Sequence, residues 1–165
     1  MPTASYELAI LDGIYAALER IDGTGEYVNA LRTVTAWNAS PLQAGELPLA
    51  VVGDPSVRIA EAGSLLAEDY VMQTQVVAIA PAAGETQRDR VQGAMELWQD
   101  VRRALLYRTD GCWLGVSSPR GIYRLRLTDV VAQPEEVPEA SAWYSVVRVI
   151  VETTVRVNYP AIGGA

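Results

Sequence analysis

Near the N-terminus the apolar residues Ile10, Ile14, Leu18 and Ile21, with Leu11 beside them, recur at helical spacing. They predict an amphipathic helix from Ser5 to Ile21, which Asp22-Gly23 stops. A second helix begins at Thr86, whose hydroxyl can cap the first turn while Asp89 completes a capping-box-like pair. Val91, Ala94, Met95, Trp98, Val101 and Leu105 form its apolar stripe, and Arg90, Glu96, Asp100 and Arg103 its water-facing side. Elsewhere the period is two. Between Tyr70 and Ala80, Tyr70, Met72, Val76 and Ala78 share an apolar face and Gln73 and Gln75 a wetter one. Tyr123, Leu125 and Leu127 alternate with Arg124, Arg126 and Thr128. Trp143, Val147, Val149, Val151, Val155 and Val157 alternate with Arg148, Glu152, Thr154, Arg156 and Asn158, as one long strand or two joined at a bulge.

Leu49 to Val52 and the β-branched stretch Leu31 to Ala36 add two shorter strands. The order is then helix, two strands, a third strand, helix, two strands. No strand-helix alternation is sustained, so this is an α+β chain: a mainly antiparallel β-sheet with two amphipathic helices packed on one face. Long inter-strand loops, Trp37 to Leu47, Gly53 to Ala67 and Arg108 to Arg120, suit binding surfaces or disorder. The length of 165 residues fits a single domain, 1–165, that needs neither disulfide nor structural metal.

Composition removes several chemistries. The 13 basic residues are all Arg, and Lys, His and Phe are absent. A Walker loop or Schiff-base site lacks its Lys, and a Ser or Cys triad or zincin site lacks its His. The net charge of -7 opposes non-specific attachment to DNA phosphates or anionic membranes. Cys112 is the one cysteine and reads as a packed or idle thiol. Glu7, Asp12 and Glu19 interrupt the first apolar stretch, so neither a signal peptide nor a membrane span is expected, and the chain is made in a cytoplasm.

The remaining constellations offer no catalytic, cofactor or metal site. Gly23-Thr24-Gly25 follows a helix and reads as a turn, and Gly115 to Pro119 reads as a loop. Glu68-Asp69 and Glu135-Glu136 are adjacent carboxylates whose side chains point apart in a strand, and solvation accounts for them. Arg124, Arg126, Arg148 and Arg156 form a basic stripe with Tyr144 as its one aromatic neighbour, too few for a single-strand stacking platform. Ion pairs with Glu152 or with another subunit suit them better. With Trp37 and Trp113 from the loops, they make the candidate subunit or partner interface.

A resemblance then joins these parts. Ile10-Leu11-Asp12-Gly13-Ile14-Tyr15-Ala16-Ala17-Leu18 opens the chain, and the strand Leu47-Pro48-Leu49-Ala50-Val51-Val52 follows. Next come the strand Tyr70 to Ala80, the helix Arg88 to Leu106 ending Val101-Arg102-Arg103-Ala104-Leu105-Leu106, and the Val-rich strand Val147 to Val157. In content and order this is similar to the tail terminator and minor tail proteins of long, non-contractile tailed bacteriophages. The resemblance implies no catalysis and no cofactor. It implies a six-fold ring on the last ring of the tail tube, at the head-tail junction of the virion, with tail tube and head-completion proteins as partners and DNA passing through the bore unbound. The longer Gly53 to Ala67 loop departs from that pattern. The alternatives are another connector or tail-tube subunit, a small enzyme using carboxylates such as Asp54 or Glu68, and a nucleic-acid-binding regulator relying on the Arg stripe.

Overall fold

The computed structural model describes residues 5–37, 46–60, 67–116, 121–138 and 141–158. Helix α1 spans Tyr6–Glu19, and the Ser5 hydroxyl caps it by accepting the Leu8 N–H at 3.3 Å. Its buried stripe is Ile10, Gly13, Ile14, Ala17 and Leu18. The helix ends two residues before Ile21, which is buried beyond it. Asp22 makes the stop by accepting both the N–H and the hydroxyl of Thr24, and Gly23 and Gly25 then take positive φ in the turn.

Helix α2 spans Gln87–Leu106 and opens with a complete capping box between Thr86 and Asp89. Its buried stripe differs from the expected one: Ala94, Leu97, Val101, Ala104 and Leu105 are buried, whereas Val91 and Met95 are exposed. Asp100, assigned by pattern to the water-facing side, is 1% exposed. The helix is enclosed by the sheet and also by the segment after α1, so its dry arc is rotated away from Val91 and Met95 and extends over Asp100.

The sheet contains six strands: β1 (Thr33–Ala36), β2 (Leu49–Val52), β3 (Ser56–Ile59), β4 (Ala67–Pro81), β7 (Arg124–Val137) and β8 (Ala142–Asn158). Two short strands, β5 (Arg108–Thr109) and β6 (Cys112–Trp113), pair separately as a small hairpin. The sheet order is β1-β2-β4-β8-β7, with β3 also on β4; β1 and β2 are parallel and the other pairs antiparallel. This is the expected α+β arrangement, in which α1 and α2 share one core with one face of the sheet.

Alternation decides which face is dry. In β8, Val147, Val149, Val151 and Val155 point to the helices, opposite Ala78, Val76, Thr74 and Tyr70 of β4. β8 is continuous, and the irregularity lies in β7 between Thr128 and Val131. Two of the three long loops contain structure that alternation missed, β3 in one and the β5–β6 hairpin in another, because strands of four and two residues are too short for a period to show. Most of the third, 38–45, and 117–120 of the loop near Gly115 lie outside the described residues. No described helix is long and apolar enough to cross a membrane.

Candidate interaction surface

The even-numbered residues of β8 face away from the helices, and cross-strand register determines what each Arg meets. Arg156 lies directly opposite Asp69 of β4 and donates to it twice, from Nε at 2.8 Å and Nη2 at 3.2 Å. The Tyr123 hydroxyl donates to the same carboxylate at 2.6 Å, and the Arg156 guanidinium stands 5.4 Å from the Tyr123 ring centre. The hydrogen bonds from Arg156, and then Tyr123, hold Asp69 below the usual carboxylate range, while that shared bond raises Tyr123. Tyr123 is thus exposed and part of the polar cluster, not a member of the apolar series with Leu125 and Leu127.

Arg148 donates from both terminal nitrogens to Glu135 across the β7–β8 hairpin. Chiefly through those bonds, Glu135 is held below the ordinary range and Arg148 is raised. Asp69 and Glu135 therefore have specific partners where solvation alone was expected. Glu152 does not pair with the Arg stripe. It accepts from Gln73 at 2.8 Å and lies 4.0 Å from Arg58 of β3, although Arg126 stands opposite it in register. Among the described residues Arg124 and Arg126 are exposed and have no hydrogen bond or ion pair from their guanidinium groups.

Among the described residues the stripe is therefore half neutralised, with Arg124 and Arg126 of β7 unpaired. Tyr144 is half-buried opposite Glu135. Trp113 of β6 packs against the core with Arg108 stacked on it at 3.9 Å, so the structure does not bring it to the stripe. Trp37 is 66% exposed and borders a shallow depression with Asp54, Gln75 and Val77. Asp54 is the one carboxylate among those lining residues; Glu68, the other acid considered for catalysis, accepts from the Tyr70 hydroxyl at 3.0 Å elsewhere. Among the described residues no group of three or more His, Cys, Asp or Glu could hold a metal ion. Sequence reading missed Asp69, Tyr123 and Glu135 as partners. Asp69 and Arg156 are 87 residues apart, and only sheet register joins them.

The surface carries cross-strand ion pairs, and the guanidiniums of Arg124 and Arg126, unpaired among the described residues, can each donate in parallel to a carboxylate.

No family model matches the sequence, and no curated protein matches it. Among solved structures the chain is similar to one from the virion of a native gene transfer agent particle, at 19% sequence identity and a TM-score of 0.54, over 93% of this chain and 100% of that one. At that identity the likeness is one of fold, and it extends over nearly all of this chain and the whole of the other.

Proposed function

We propose that the chain is a structural subunit of a phage-like virion, and within that class a tail terminator. In this reading copies form a ring, most simply a hexamer, on the end of the tail tube, where they stop its growth and offer a docking surface to the head-completion proteins. The observation that carries the reading is the fold shared along almost the whole chain with a subunit of a gene transfer agent virion. The order of elements from α1 to β8 supports the finer assignment through the resemblance to tail terminators. A net charge of -7 suits a conduit that DNA passes without being held. The role is non-catalytic and needs no cofactor.

A ring suits the task because the end of a symmetric tube repeats one patch around its axis, and a ring of matching symmetry engages every copy together. The test is to remove the gene from its particle, or add the purified protein to polymerising tail tubes, and measure tube length by electron microscopy. Loss of the protein should give overlong tails without heads. Tails of normal length that still join heads would overturn the terminator assignment. Absence of any tube at all would instead favour a tail-tube subunit.

A further inference from the structure

Two tryptophans of this chain carry an arginine of their own. Arg108 lies 3.9 Å from the ring centre of Trp113, and Arg90 lies 4.2 Å from that of Trp143. Trp98 packs against the core. Trp37, by contrast, is 66% exposed, and among the described residues no cation stands over its ring. Asp54 is exposed as well and has no hydrogen bond or ion pair among the described residues. One depression of about 220 Å³ is lined by both.

The sheet brings them together. Val51 of β2 lies opposite Val77 of β4 on the face turned away from the helices, whereas their neighbours Val52 and Val76 belong to the core. The Trp37 N–H donates to the Val52 carbonyl and extends the β1–β2 ladder by one residue, which places Trp37 beside Gly53 on the same face as Val51. Gly53 donates its N–H to the Gln75 carbonyl at 2.8 Å and has no side chain to fill the ground between Trp37 and Gln75. Asp54 follows it at the end of β2. The depression therefore has a buried apolar floor of Val51 and Val77, an indole beside it, and Gln75 and Asp54 at its rim.

We infer that this depression is a socket for an arginine side chain presented by an unlike partner protein. The methylene stem covers Val51 and Val77, the planar guanidinium lies against the Trp37 ring, and its N–H groups donate to the Asp54 carboxylate and the Gln75 amide oxygen. Other occupants fit less well. An anion finds no cation among the lining residues, and a wholly apolar group would leave Asp54 desolvated without a partner. Arginine is favoured over lysine because its flat group both stacks and donates in parallel. The net charge of -7 points to the source: copies of this chain repel one another, whereas a basic partner is drawn in. Trp and Arg are also the residue types that most often dominate interface energies. The inference goes beyond the terminator assignment and stands without it.

The test titrates the full chain with N-acetyl-arginine amide and follows the Trp37 indole N–H and the Gln75 side-chain amide by two-dimensional NMR. Both signals should move with a millimolar dissociation constant. The uncharged, nearly isosteric N-acetyl-citrulline amide should bind at least several-fold more weakly. Trp37→Leu and Asp54→Asn change exposed positions, so both variants should melt within a few degrees of wild type. Each should weaken arginine binding several-fold, with Gln75 as the reporter in Trp37→Leu. Signals that stay still at the highest soluble probe concentration, equal binding of the citrulline probe, or full affinity in Asp54→Asn would overturn the socket. The source is tested with wild-type protein alone, from micromolar to millimolar concentration. A Trp37 signal that does not move supports an unlike partner. Shifts that grow with protein concentration and are reversed by arginine amide would overturn that source in favour of a second copy.

Discussion

The carboxylate of Asp100 holds Asn29 twice, accepting its backbone N–H and its side-chain amide at 2.8 Å each. The Val28 N–H donates to the same group at 3.1 Å. A buried acid in α2 thereby fastens the segment that leads from α1 into β1, and Arg103, 4.0 Å away, adds a cation at its edge.

Replacing Asp100 with Ala should therefore cost on the order of 2 kcal/mol, since three donors of a partly exposed segment lose the buried carboxylate that holds them. Asp100→Asn keeps the shape and one acceptor oxygen and should cost less. Urea unfolding of the two variants checks the order. Equal stability of Asp100→Ala and wild type would show that the 28–29 segment finds other partners.

Gly13 lies inside α1, where Ala would ordinarily stabilise a helix by roughly 1 kcal/mol. A Cβ at this position would come within 2.4 Å of the Leu114 carbonyl oxygen and 2.8 Å of the Leu114 Cβ. Leu114 itself has a φ of 53°, so its backbone has little freedom to withdraw. Gly13→Ala should consequently destabilise, by about 1–3 kcal/mol, through overpacking. A thermal melt decides between the two effects by the sign of the change in Tm.

Val149 and Arg148 are neighbours in β8 on opposite faces, the first 1% exposed and the second half-buried over Glu135. Val149→Asp should cost about 3 kcal/mol or more, because it buries an unpaired carboxylate in place of packed apolar surface. Arg148→Asp loses a largely solvated pair and should cost on the order of 1 kcal/mol. Chemical denaturation of both variants reads the difference, and the reverse order would mean that β8 is displaced by one residue.

The pair Arg148–Glu135 also gives a pH dependence. Hydrogen bonds from Arg148 lower the Glu135 pKa in the folded state relative to the unfolded chain. Its contribution to stability is present above the unfolded value of about 4.3 and is lost as pH falls through the lower folded value. Asp69, lowered by Arg156 and Tyr123, contributes with the same sign. Arg148→Gln should return Glu135 to the ordinary range and flatten the acid limb of the stability curve. Carboxyl NMR titration of Glu135 in wild type and variant measures this directly, and identical midpoints would show that the bonds do not persist in solution.

Local periodicity sufficed for α1, for the capped start of α2, and for the parity of β8, because each depends on spacings of two to four residues along one strand or one helix. The candidate surface was legible in part: the alternation placed Arg124, Arg126, Arg148 and Arg156 together on one face. Which of them are free was decided by register alone, since Asp69 reaches Arg156 and Glu135 reaches Arg148 only when β4, β8 and β7 lie side by side. The same is true of burial. Asp100 reads as a solvent-facing acid when α2 is considered alone, and it becomes a buried anchor because the backbone at Val28 and Asn29 folds over that side and supplies its hydrogen bonds. A helix's own sequence specifies its apolar stripe, whereas the width and direction of its dry arc depend on every element packed around it, and those elements arrive from distant parts of the chain.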